Sequence, residues 1–222
     1  MPTLLIVDDH PLFREALRSA VQRVLPEAQL HEADGVDALY TLADTYPDAD
    51  LLLMDLSMPG AQGFSALVHL RARHPQMPIV VVSGREEPAV VQRALHHGAL
   101  GFIPKSTDSR TIGTAIAAVL DGERWVPSHV DTASTVDPAE HDVALRVREL
   151  TPQQFRVLQM LGSGRLNKQI AYDIGVSEAT IKAHVTAILR KLGATNRTQA
   201  VLMAGKLAID PDGIVLPPDE GD

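Results

Sequence analysis

The chain contains no cysteine among its 222 residues, which excludes a disulfide framework and a thiolate metal site and suits a reducing cytosol. Long apolar runs are missing as well: none approaches the roughly 20 residues needed to span a bilayer. Met1-Pro2-Thr3 leads directly into an apolar run stopped by Asp8-Asp9, without the basic start and extended apolar core of a secretion signal. The expectation is a cytoplasmic protein with no membrane partner. Basic residues are scarce, 20 Lys+Arg against 28 Asp+Glu for a net charge of −8. The scarcity is uneven, however. Residues 1–150 carry 12 bases and 21 acids, whereas residues 151–209 carry 8 bases against only Asp173 and Glu178. Residues 210–222 hold five acids and no base. Such a sign change points to two modules with different partners, the basic one facing a polyanion. The length allows one large domain or two small ones, with ample core either way.

What the first module does have is a run of apolar segments bounded by turn residues. They recur at Leu4–Val7, Leu51–Met54, Ile79–Val82 and Leu100–Ile103, with a more polar Leu30–Ala33 as a fifth. Helical patterns lie between them. Phe13, Ala16, Leu17, Ala20, Val21 and Val24 fall on one face, as do Ile112, Ala115, Ile116 and Val119. Segments Asp34–Tyr46, Gln62–His74 and Glu87–His97 also read as helices, with Gly98 as a C-terminal cap. Strand-helix alternation of this kind predicts an α/β fold with a parallel sheet covered on both faces. Pro104 places the last strand at a sheet edge, where a missing N–H is tolerated.

In a parallel sheet all strand carboxyl ends share one edge, where ligands bind. Asp8-Asp9, Asp55, Ser83 and Lys105 all fall there. Asp55, between a buried strand and Pro59-Gly60, reads as a metal ligand, a nucleophile or a turn-former bonded to its own backbone. Asp8-Asp9 alone could cap a helix starting at Pro11, and His10 reads as a surface or capping residue outside the site. Four coincident strand ends favour a shared site. Three clustered acids repel one another unless a cation neutralises them, and all-oxygen ligation suits Mg²⁺. Carboxylates also act as nucleophiles, forming aspartyl-phosphate, and a metal with a lysine meets the needs of phosphoryl transfer.

Val7-Asp8-Asp9-His10-Pro11, Met54-Asp55-Leu56-Ser57-Met58-Pro59-Gly60, Val82-Ser83-Gly84 and Gly98-Ala99-Leu100-Gly101-Phe102-Ile103-Pro104-Lys105 resemble the receiver domain of two-component response regulators, whose sheet is five-stranded and flavodoxin-like. The resemblance covers about residues 3–122. It implies that Asp55 takes phosphate from the histidine of a sensor kinase. It further implies Mg²⁺ bound directly by Asp9, Asp55 and the Ser57 carbonyl, with Asp8 acting through water. Lys105 would contact the phosphoryl oxygens, and Ser83 and Phe102 would form the switch pair. Here Ser106 follows the lysine, where many receivers have proline.

Residues 126–148 lose periodicity and read as a linker after a first domain of residues 1–125, with part of Glu140–Arg148 helical. The acidic tail 210–222 has a disordered composition. Between them Thr151-Pro152 predicts a helix start, Asn167–Ile174 a second helix, and Ser177 the cap of a longer one from Glu178. In that helix Ile181, Val185, Ile188 and Leu192 share a face. A last helix follows Thr198, carrying Val201, Ala204 and Leu207. Two helices joined by Gly175-Val176-Ser177 predict a helix-turn-helix in a small all-α domain, residues 149–209, and the local positive charge favours DNA.

Leu150-Thr151-Pro152, Asn167-Lys168-Gln169-Ile170-Ala171, Val176-Ser177-Glu178-Ala179-Thr180-Ile181-Lys182-Ala183-His184-Val185, Leu189-Arg190-Lys191-Leu192 and Asn196-Arg197-Thr198 resemble the LuxR-type DNA-binding domain. With the receiver this resembles the NarL/FixJ family. The match implies that Glu178–Leu192 enters the major groove of double-stranded DNA, with Thr180, Lys182, Ala183 and Thr186 facing the DNA and Lys168 and Arg197 holding phosphates. Gln154 stands where the family usually has Glu, and Thr186 where relatives often carry a base. The expected function is a phosphorylation-switched transcription regulator, a homodimer when active and not an enzyme. Two rivals are a constitutive DNA binder with an unphosphorylated receiver and an aspartyl-phosphate hydrolase. The latter usually needs a second acid where this chain has Ser57.

Overall fold

The structure, a computed structural model, describes residues 1–59, 63–130 and 137–209. The tail 210–222, residues 131–136 of the expected linker, and Gly60 of the Pro-Gly turn lie outside the described residues. The chain divides into two compact units, Met1–Ala61 with Leu70–Val136, and Asp137–Asp222 with Gln62–His69.

The first unit is built on five parallel strands: β1 Thr3–Val7, β2 Gln29–Ala33, β3 Leu51–Asp55, β4 Ile79–Ser83 and β5 Gly101–Pro104. Their order is β2-β1-β3-β4-β5, the flavodoxin-like order of doubly wound sheets. β3 and β4 are buried at every position, which is why they read as continuous apolar runs rather than alternating ones. β2, the polar one, lies at an edge and is exposed to half-buried throughout. β5 forms the other edge, and Pro104 ends it there.

Helices α1 Pro11–Val24, α2 Val36–Thr45, α3 Ser65–Arg73, α4 Pro88–His96 and α5 Ser109–Leu120 connect and follow the strands. α1 packs against α5. Leu17, Ala20 and Val21 meet Ile112, Ala115, Ile116 and Val119 there, over Leu4, Ile6, Leu51 and Leu53 of the sheet. These are the faces the 3.6-residue period predicts. Gly98 follows α4 with φ +101°, a left-handed conformation that only glycine adopts without strain.

The edge of β5 is not bare. Phe102 N–H donates to the Trp125 carbonyl at 2.9 Å and Trp125 N–H donates to Leu100 O at 3.3 Å. This backbone graft satisfies groups that an edge strand would otherwise leave open. Gly101 permits it, since a Cβ there would lie 3.0 Å from the Trp125 oxygen.

The second unit contains α6 Pro138–Arg148, α7 Pro152–Gly162, α8 Asn167–Ile174, α9 Glu178–Leu192 and α10 Arg197–Gly205. α6 bears out the helix expected within Glu140–Arg148 and extends it back to Pro138, so the C-terminal half of the expected linker is ordered. Asp137 caps it, Pro138 starts it, and Val143, Ala144 and Val147 bury one face. That apolar stripe is short and was hidden among polar neighbours. α7 begins as predicted, with Thr151 and Gln154 forming a capping box, which satisfies two otherwise open backbone donors. α10 begins at Arg197, one residue before Thr198, because Asn196 caps it through Gln199 N–H. Leu207 is buried but lies beyond its end.

Candidate functional site

The carboxyl edge of the sheet assembles the acidic site. β1 ends at Val7 and delivers Asp8 and Asp9, while β3 ends on Asp55 itself. Asp8 and Asp55 are fully buried and Asp9 partly so. One potential ligand atom from each of Asp8, Asp9, His10 and Asp55 lies within 4.8 Å of the others. Lys105, just past β5, inserts its ammonium between the buried pair, with Nζ 2.7 Å from Asp8 Oδ2 and 2.8 Å from Asp55 Oδ2. The same ammonium lies 5.0 Å from the centroid of the Phe13 ring, a cation–π geometry.

The backbone fixes these carboxylates in turn. Asp55 Oδ1 accepts from Ser57 N–H at 3.0 Å, and Asp8 Oδ1 accepts from His10 N–H at 2.8 Å. Asp55 is therefore a turn-former through one oxygen and an ion-pair partner through the other. Neither Asp8 nor Asp9 caps α1. Its N-cap is His10, which makes no side-chain cap bond, and Arg14 donates to the Asp8 carbonyl at 2.7 Å. His10 Nδ1 instead sits 2.8 Å from Asp9 Oδ1. Its side chain is largely exposed at the start of α1, the surface and capping position that the sequence predicts, while its ring reaches the rim of the acidic cluster.

Burial works to lower the Lys105 pKa, but hydrogen bonds and charges from Asp55 and Asp8 outweigh it and hold the pKa above its ordinary value. The group is thus a fixed cation at neutral pH. An open depression of about 520 Å³ lies over the site, lined by His10, Leu12, Phe13, Asp55, Ser57, Gly84, Arg85 and Lys105. Ser83 is buried beside it, its Oγ accepting from Arg85 N–H at 3.1 Å and its carbonyl from Lys105 N–H at 2.8 Å. Phe102 is fully buried, two residues before the edge proline. Asp8, Asp9, Asp55, Ser57 and Lys105 are thus brought together, Ser83 adjoins them, and Phe102 is fully buried on the edge strand β5.

In the second unit, Gly175 closes α8 with φ +71° and Ser177 caps α9 by accepting from Thr180 N–H. Ile181, Ile188 and Leu192 are buried and Val185 is half-buried, so α9 presents Thr180, Lys182, Ala183 and Thr186 to solvent. Lys168 is exposed on α8, beside an open depression of about 560 Å³ formed with Arg165, Gln169, Tyr172 and Asp173. Arg197 is half-buried and donates to the Arg165 carbonyl. Gln154, at the position where the family usually has Glu, accepts from Lys191 Nζ at 2.8 Å.

Residues 4–117 match the response regulator receiver domain, and residues 148–204 match the bacterial regulatory proteins of the luxR family. The chain belongs to the NarL/FixJ response regulators. It is 38% identical over 213 residues to the glycerol metabolism activator of Pseudomonas putida, covering 93% of this chain and 96% of that protein. It is 30% identical over 204 residues to the nitrate/nitrite response regulator NarL of Escherichia coli, covering 90% and 93%. Among solved structures, it shares its fold with RcsB of Salmonella enterica serovar Typhimurium bound to promoter DNA. There the TM-score is 0.53 at 24% identity, covering 93% of this chain and 99% of that one. A LuxR family DNA-binding response regulator from Silicibacter pomeroyi gives a TM-score of 0.51 at 29% identity over 58% of this chain and 98% of that one. Receiver and LuxR-type domain are thus both present in one chain, and no helix among the described residues is long and apolar enough to cross a membrane.

Proposed function

We propose that this response regulator accepts a phosphoryl group on Asp55 from the phosphohistidine of a sensor kinase and thereby controls transcription through DNA binding by α9. The observation that carries the reading is the buried Asp55, held by Ser57 N–H on one oxygen and by the Lys105 ammonium on the other. The three acids carry three formal negative charges against one from Lys105, and the residual charge of two, on oxygen donors, fits a divalent cation. Asp9, Asp55 and the Ser57 carbonyl are the proposed direct ligands of Mg²⁺, with Asp8 acting through water. When bound, the ion neutralises the acids and the incoming phosphoryl oxygens.

The chain's own groups do the rest. A carboxylate oxygen of Asp55 attacks phosphorus; the P–N bond to the donor histidine breaks as the P–O bond forms, and the imidazole leaves with the bonding pair. Lys105 follows the charge onto the phosphoryl oxygens. Asp55 gains about −2 charge, a change that favours a conformer in which the Ser83 hydroxyl turns to the phosphoryl group and Phe102 shifts with it. We assign residues 1–125 to the receiver and 149–209 to the LuxR-type domain, which works as a homodimer on DNA. A two-fold dimer sets two recognition helices about one helical turn, roughly 34 Å, apart. Thr180, Lys182, Ala183 and Thr186 are the proposed groove contacts and Lys168 and Arg197 the phosphate contacts. The cytoplasm, which holds both DNA and the kinase's phosphohistidine, is the proposed location.

The test is labelling of the full chain by acetyl phosphate with Mg²⁺, followed by DNA binding against salt concentration. Wild type takes the label and binds DNA more tightly, whereas Asp55→Asn does neither. An Asp55→Asn chain that responded to the donor as wild type does would refute the switch. Labelling absent in both chains, with DNA binding intact, would mean constitutive binding.

A further inference from the structure

The recognition helix of this protein is held from outside its own domain family's boundary. α9 is tied at its C-terminal end by two cations. Arg146 Nη1 donates to the Leu192 carbonyl at 2.7 Å, and Lys191 Nζ donates to the Glu149 carbonyl at 2.8 Å. The Arg146 guanidinium is itself paired with Asp142, Nε lying 2.9 Å from Oδ2 one turn earlier in α6. Gly193 makes room for it. This residue ends α9 with φ +69°, and a Cβ there would collide with the guanidinium. Arg146 lies in α6, before the residue 148 at which the luxR-family match begins.

We infer that Arg146 is a positioning residue for DNA recognition, setting the tilt of α9 from α6 without touching DNA itself. The inference rests on the DNA-binding role proposed above. Four carbonyls at a helix end have no partner within the helix, and a cation there also answers the negative end of the dipole. Arg146 supplies both, on a fork that gives direction as well as charge. α6 packs on α9 and on α10, so the fork is anchored to a buried face. The lever is long. α9 has 15 residues, so at 1.5 Å per residue a tilt of about 5° about its C-terminal end moves the first turn by about 2 Å. Hydrogen bonds to base edges do not survive such a displacement, whereas phosphate attraction, being long-ranged, does. Loss of Arg146 therefore lowers discrimination more than it lowers binding.

The experiment uses the full chain with beryllium fluoride and Mg²⁺, and two duplexes. One is selected by the wild-type chain from a random-sequence pool; the other is its scrambled counterpart. Arg146→Met keeps the stem and removes the donors; Arg146→Lys keeps a cation. The expected result for Arg146→Met is a roughly ten-fold fall in affinity for the selected duplex, the scale of one lost charge-assisted hydrogen bond. Scrambled binding and the salt slope stay near wild type, and Arg146→Lys restores part of the ratio. Partial unfolding cannot mimic this, since it scales both affinities equally. Equal losses on both duplexes, or no loss on either, would overturn the positioning role while leaving DNA binding intact. A wild-type chain that enriched no sequence would sink the DNA-binding reading and this inference with it.

Discussion

Replacing Lys105 by methionine isolates what its ammonium does in the acidic site. Methionine keeps most of the apolar stem and removes the charge that lies 2.7 Å from Asp8 and 2.8 Å from Asp55. Both carboxylates are fully buried, so the substitution leaves two buried charges without their cation. Removing one member of a buried ion pair costs roughly 3–5 kcal/mol. Lys105 retains 18% side-chain exposure and the depression above it is open, which places the cost at the lower end, about 3 kcal/mol. For a unit of this size that corresponds to a fall of about 10 °C in its melting temperature. Calorimetry of the full chain in EDTA would measure it. Millimolar Mg²⁺ should return a large part of the loss, because ligand binding to the folded state alone adds about 2.7 kcal/mol at a hundred times Kd. The variant should also bind Mg²⁺ more tightly than wild type, having lost the cation that competes for the same acids. A receiver transition in EDTA that did not move, or one that Mg²⁺ left unchanged, would refute the view that charge balance holds this site together.

Other outcomes follow from the same geometry. The raised Lys105 pKa means that its ion pairs stabilise the metal-free fold fully below the ordinary lysine value of 10.5 and lose that contribution as pH rises through the folded value. The stability gap between wild type and Lys105→Met in EDTA should therefore be flat from about pH 7 to 10 and close above that. Ser177→Ala removes the hydroxyl that accepts from Thr180 N–H at the start of α9 and should destabilise the second unit by about 1 kcal/mol in chemical denaturation. Lys168→Met should weaken DNA binding uniformly across sequences and reduce the slope of log K against log salt by about 1, where a base-contacting residue would change sequence preference instead.

Sequence alone settled whatever depends on residues close together along the chain. The buried strands announced themselves as apolar runs, α8 and α9 by Gly175 and the Ser177 cap, and α7 by Thr151-Pro152, because periodicity and capping involve neighbours within about four positions. The shared strand edge was legible too, since a parallel sheet must gather all its carboxyl ends on one side. Tertiary structure alone decided which groups meet there and how. That Lys105 divides its ammonium between Asp8 and Asp55 and that Trp125 completes the edge of β5 are contacts with no local pattern. α6 was legible only in part, as a helical stretch within Glu140–Arg148, for the same reason. Its stripe of Val143, Ala144 and Val147 gains meaning only from the helices it packs on, and Arg146 only from the Leu192 carbonyl 46 positions away. Local pattern chooses the elements because it is written in backbone propensity and burial period. Partners far apart in sequence are chosen by packing, which no single segment contains.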